Sequence, residues 1–87
     1  MARLNYRGTR YTVHRFTVGA NGATLCRFGD WPQPTVTDHW REDDKLIERV
    51  LGHCSEEEWI GRDSDDRIWM GGMPVEGHAF AVLIPTN

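Results

Sequence analysis

The sequence predicts an α+β fold. It reads as a small antiparallel sheet of about four strands, in the order β-β-α-β-β, with one main helix packed on one face. Three observations carry this. Arg10–Val18 and Arg67–Met70 are rich in β-branched and aromatic residues. Asp38–Leu51 carries apolar residues at helical spacing. His78–Ile84 is apolar at every position after the histidine, as befits a strand covered on both sides.

Taken in order, Arg10–Val18 alternates imperfectly. Tyr11 and Val13 share one face, whereas Phe16 and Val18 share the other, so a bulge near His14–Arg15 is expected. Gly19-Ala20-Asn21-Gly22 has the chemistry of a turn. Ala23–Phe28 would return as the second strand of that hairpin. Leu4–Arg7 either extends the first strand past Gly8 or forms a short strand of its own. Pro32 and Pro34 make Phe28–Thr37 a connecting loop, with Trp31 folded back on the core.

The expected main helix is Asp38–Leu51, capped by Thr37 or Asp38. Trp40, Ile47 and Leu51 form its stripe, with Leu46 and Val50 beside them, and Gly52 stops it. Ser55-Glu56-Glu57-Glu58 matches a capping box, which favours a short helix through Ile60. The rival reading makes Trp59–Arg62 a strand, paired with Arg67–Met70 across an Asp63-Ser64-Asp65-Asp66 turn. His78–Ile84 puts Phe80, Val82 and Ile84 on one face and Ala79, Ala81 and Leu83 on the other. One helix covers only one face of a small sheet. A loop, the short helix or a second copy of the chain must cover the other, so a homodimer is compatible with the pattern.

With 87 residues, the chain is expected to be a single domain. No apolar run approaches the roughly 20 residues of a membrane helix, and Met1–Arg10 has no signal-peptide core. A cytoplasmic protein is therefore expected, with no membrane partner. Two cysteines cannot make the dense framework of a small secreted domain.

The net charge of -3 hides an asymmetry. Met1–Gly29 carries five arginines and no acid, whereas Asp30–Asp66 carries twelve acids against four basic residues. The remaining Arg67 and Glu76 cancel. A dipolar object is expected, with a basic hairpin and an acidic middle. Such fields steer partners rather than set folds.

Catalytic and metal motifs are weak. Cys26, His53 and Cys54 lack the paired spacing of a zinc site, and an adjacent histidine rarely points at its neighbour's sulfur. A metal or thiol site there is the third reading. A calcium loop starting at Asp63 would need glycine and glutamate where Ile68 and Pro74 stand. No phosphate-binding glycine loop is present. No catalytic residue, metal or cofactor is expected.

The leading expectation is a non-enzymatic protein-binding module, an inhibitor or adaptor. Its acidic surface would be Glu42, Asp43, Asp44, Glu56, Glu57, Glu58, Asp63, Asp65 and Asp66, with Trp31, Trp59 and Trp69 as anchors. The partner would be a protein with a basic surface, the nucleic-acid groove of another protein being one such surface. Inhibitors that mobile elements direct against host nucleases have this size and charge. The alternative is a nucleic-acid-binding module. It would use Arg7, Arg10, Arg15 and Arg27, with Tyr6, Tyr11, Phe16 and Phe28 stacking on bases. The pI of about 5.7 opposes that alternative.

Overall fold

The computed structural model describes residues 2–17, 36–41, 43–72 and 77–86. Their architecture is mostly sheet. Strands β1 (Ala2–Tyr6), β2 (Thr9–Thr17), β3 (Val36–Trp40), β4 (Trp59–Asp63), β5 (Ile68–Gly71) and β6 (Ala79–Pro85) form one sheet, with a single helix, α1 (Asp44–Leu51). The strand order is β1-β2-β6-β5-β4-β3 and every pairing is antiparallel. The expected four-stranded sheet under a main helix is therefore corrected to six strands and one short helix.

Three of the six strands lie beyond the expected set: β4 follows the rival reading of residues 59–62, and β1 and β3 come from identifiable residues. Arg7 and Gly8 both take positive φ, 48° and 85°, which makes the two-residue turn whose twist suits a hairpin. Ala2–Tyr6 thus forms its own strand, pairing Tyr6 with Thr9 and Leu4 with Tyr11. The expected partner Ala23–Phe28 lies outside the described residues. Strand β3 is the front half of the expected helix. Val36, Thr37 and Trp40 are strand formers, and Val36–Trp40 pairs with β4, with a register shift between Val36 and Asp38. The helix starts later because Asp43, not Thr37 or Asp38, caps it: its carboxylate accepts from Leu46 N at 3.1 Å. Trp40 sits at helical spacing from Ile47 but reaches the core from a strand. Gly52, at φ 84°, ends α1 as expected.

No bulge is needed at His14–Arg15. The β2–β6 register runs unbroken from Tyr11–Pro85 to Thr17–Ala79. Alternation slips in β2 because the strand contributes to both faces. On face one, Leu4, Tyr11, Val13, Ile60, Ile68, Met70, Ala81 and Leu83 are buried under Leu46, Ile47 and Val50 of α1. On face two, Phe16, Trp69, Phe80 and Val82 form a second cluster, with Trp59 and Ile84 at its margin. Phe80 stacks on Phe16 at 6.0 Å and meets Trp59 edge-on at 6.1 Å. Strand β6 is central and two-faced, as its composition predicts. Its face-two residues Phe80 and Val82 are 1% and 0% exposed within one chain, so burying them needs no second copy.

The sheet curls around face one. Three strand spacings, about 14 Å if flat, separate β2 from β4. Yet Arg62 on β4 donates to Tyr11 Oη on β2 at 3.4 Å. Tyr6 and Trp40, from the two edge strands, pack against the same cluster. Arg7, Asp38, Trp40 and Arg62 line one cleft of about 230 Å³ where the edges approach.

The rival reading of residues 59–70 is the correct one. The Ser55–Glu58 motif forms locally but only as a turn, and β4 starts at Trp59. The residues after the box are buried or half-buried in a strand that pairs with β5, so no helix follows.

Candidate functional site

The nine expected acids do not form one surface. Glu58 and Asp63 are buried, at 6% and 4% exposure. The Glu58 carboxylate accepts from Ser55 N at 3.1 Å and from Ser55 Oγ, and it pairs with His53 Nε2 at 2.7 Å. Burial alone would raise its pKa; the bonds from Ser55 outweigh this and hold it below the usual range. Asp63 organises the β4–β5 turn. Its Oδ1 accepts from Asp65 N (2.9 Å) and Arg67 N (3.0 Å), and its Oδ2 from Arg67 Nε (2.7 Å) and Trp69 Nε1 (2.8 Å). Burial again opposes ionisation. The Trp69 indole and the Arg67 donors overcome it, and the pKa is lowered. Asp43 is the helix cap. Glu42 lies outside the described residues.

The exposed remainder is Asp44, Glu56, Glu57, Asp65 and Asp66. Asp44 pairs with Arg41 at 3.3 Å and Asp65 with Arg67 at 3.5 Å. Glu56 and Glu57 precede β4 and Asp65 and Asp66 follow it, so the strand holds the two pairs at least about 13 Å apart. The outer side of α1 is balanced, with Asp44 and Glu48 against Lys45 and Arg49.

None of the described tryptophans is a free anchor. Trp69 is 0% exposed. Trp59 is half-buried, donates Nε1 to Gly72 O at 3.0 Å, and carries His39 5.5 Å from its ring. Trp40, expected in the helix stripe rather than as an anchor, lies half-buried beneath Arg62 at 5.6 Å. Trp31 is outside the described residues.

Arg7, Arg10 and Arg15 are exposed, and Arg27 is outside the described residues. Of the rings meant to accompany them, Phe28 is also outside the described residues and the other three are not free to stack. Tyr11 and Phe16 are 3% and 9% exposed, and Tyr6 is half-buried with Arg7 over its face. Burial pushes the Tyr6 hydroxyl pKa up. A basic cluster exists in a form that sequence spacing does not reveal. Arg3 from β1, Arg10 from β2 and Arg49 from α1 line one cleft of about 260 Å³ with Leu4 and Asn5. Among the described residues no ion pair reaches any of these three arginines.

Another cleft, about 270 Å³, is lined by His53, Ser55, Glu57, Glu58 and His78. Both His53 and Ser55 bond to the Glu58 carboxylate rather than to each other. The imidazole is therefore not placed to take the serine proton, and the arrangement is a turn brace. Arg41 completes the brace by donating to the carbonyls of Ser55 and Glu58. Cys54 lies 3.6 Å from Arg41 Nη2, but burial and Asp44 raise its pKa, which disfavours the thiolate. No group of three metal-ligating side chains occurs among the described residues, and Cys26 lies outside them. No helix among the described residues is long and apolar enough to cross a membrane.

Comparisons with protein-family models, with curated proteins and with solved structures found no match.

Proposed function

We propose that this protein is a small non-catalytic binding module that recognises a protein partner by charge, presenting acidic loops to a basic surface. One observation carries the reading. The β1–β2 hairpin bears Arg3, Arg10 and Arg15 on its strands and Arg7 in its turn, with no acid, and the turns flanking β4 bear Glu56, Glu57, Asp65 and Asp66. Strand β6, Ala79–Pro85, lies between them without a single charge. The chain's dipole is thus built into its sheet order. A field of this kind orients an approaching partner and raises its association rate.

The test uses Glu56→Lys/Glu57→Lys, both exposed. Asp43 and Glu58 are left intact because they hold the fold. Tagged wild-type and variant proteins are incubated with nuclease-treated native lysate and eluted with salt. The reading expects a stoichiometric protein that wild type retains and the variant loses. Equal recovery on both refutes it. Recovery that vanishes with nuclease moves the function to the arginines.

A further inference from the structure

We infer that the outer edge of β1 is a second binding site, which takes an extended acidic segment of a partner protein as an added strand. This site is independent of the acidic loops.

A two-residue turn with both φ values positive closes on a hydrogen-bonded pair, here Tyr6–Thr9. Pair types alternate along an antiparallel ladder, so Leu4–Tyr11 is also hydrogen-bonded and Asn5–Arg10 and Arg3–Thr12 are not. The N–H and C=O groups of Arg3 and Asn5 therefore point away from β2. The bond from Thr86 N to Arg10 O at 2.9 Å fits this alternation, because it turns the Arg10 carbonyl away from β1 and toward β6.

Among the described residues no strand pairs with that edge. Ala2, Arg3 and Asn5 are exposed, so a second strand can reach it. The outward groups of Arg3 and Asn5 sit about 7 Å apart, the repeat of an extended chain.

Charge decides the occupant. Arg3 and Arg10 rise on face two, and Arg49 projects from the helix that covers face one. A strand laid on β1 would meet guanidinium groups on both of its faces. Successive acidic residues, which point to opposite faces, would each find one. Single-stranded nucleic acid is the poorer fit. It has no backbone to continue a sheet, and the nearby rings are buried.

The probe is a fluorescein-labelled eight-residue peptide with a central pair of glutamates flanked by valine and threonine, followed by anisotropy. The peptide should bind, and replacing the glutamates by glutamine should weaken it about tenfold or more. Asn5→Pro removes one outward N–H and no β1–β2 bond, a substitution edge strands accept. It should weaken binding about tenfold, as should N-methylation of the peptide at alternate residues. Arg49→Glu, on the helix and outside the ladder, should abolish binding whatever Asn5→Pro does to the fold. No binding by the acidic peptide overturns the proposal and leaves the arginines as guards against edge-to-edge association. Binding indifferent to N-methylation overturns it too, as does tighter binding of an oligothymidylate of equal length. Either would make the cleft a general polyanion site.

Discussion

Replacing Asp63 by alanine should cost more than any other single exposed-to-buried charge removal in the β4–β5 hairpin. The carboxylate accepts four hydrogen bonds, two from backbone N–H groups of its own turn and two from Arg67 Nε and Trp69 Nε1. Removing one partner of a buried pair costs about 3–5 kcal/mol. Arg67 keeps 26% of its side chain in solvent, so water recovers part of its solvation and the loss falls near the lower end, about 3 kcal/mol. A domain of this size has roughly 4–13 kcal/mol in total. The melting temperature should drop by roughly 12–24 °C. Asp63→Asn keeps an acceptor for the turn amides but turns an NH2 toward the Arg67 and Trp69 donors, so it should recover only a small part of that loss. The pH dependence separates charge from shape. The folded pKa of Asp63 lies below its unfolded value, so its contribution is complete above the unfolded carboxylate pKa, about 3.9. It is lost as pH falls through the folded pKa. Urea unfolding followed by tryptophan fluorescence from pH 7 to pH 2 measures both effects. A loss under about 1 kcal/mol for Asp63→Ala, or an Asp63→Asn acid limb as steep as wild type, would refute this account of the turn.

Other substitutions probe the remaining joints. Gly71→Ala places a Cβ 2.6 Å from the buried Phe80 ring, and should cost about 2 kcal/mol in urea unfolding. Asp43→Ala removes the bond to Leu46 N and should cost about 1 kcal/mol, read as lost helix signal and a lower midpoint. Ser55→Ala takes away the hydroxyl bond that favours ionised Glu58. The Glu58 pKa should rise, and carboxyl NMR titration should find its midpoint at higher pH than in wild type.

Strand β6 was readable because its signal is local. Phe80, Val82 and Leu83 leave no position for a polar face, so a central, doubly covered strand is the only fit. The helix C-terminus was readable for the same reason: only glycine accepts the φ of 84° at Gly52 without strain. The start of the helix was not. Asp38, Asp43 and Asp44 are all good caps, and Trp40 falls at helical spacing from Ile47 by coincidence. What decides is the pairing of Val36–Trp40 with β4, a contact more than twenty residues away in sequence. The capping box at Ser55 shows the reverse case. The local bonds form as the motif predicts, and the pull of β5 on Trp59–Arg62 prevents the helix that normally follows.

The site was less legible than the fold because charge counting ignores burial. Glu58 and Asp63 are acids like their neighbours in sequence, yet each spends its charge on internal donors, and only their exposed neighbours face solvent. The basic side has the converse history. Arg3, Arg10 and Arg49 are far apart along the chain and meet only because β1 pairs with β2 and α1 lies over Leu4. That convergence separates the two proposed surfaces energetically as well as spatially. The acidic loops are held by braces that need ionised Glu58 and Asp63, whose folded pKa values lie below the ordinary carboxylate range, so acidification through those values should loosen them. The arginine edge is lined by Arg3, Leu4, Asn5, Arg10 and Arg49 and leans on neither of those carboxylates. A partner held by the loops should therefore be released as pH falls through the folded pKa values of Glu58 and Asp63.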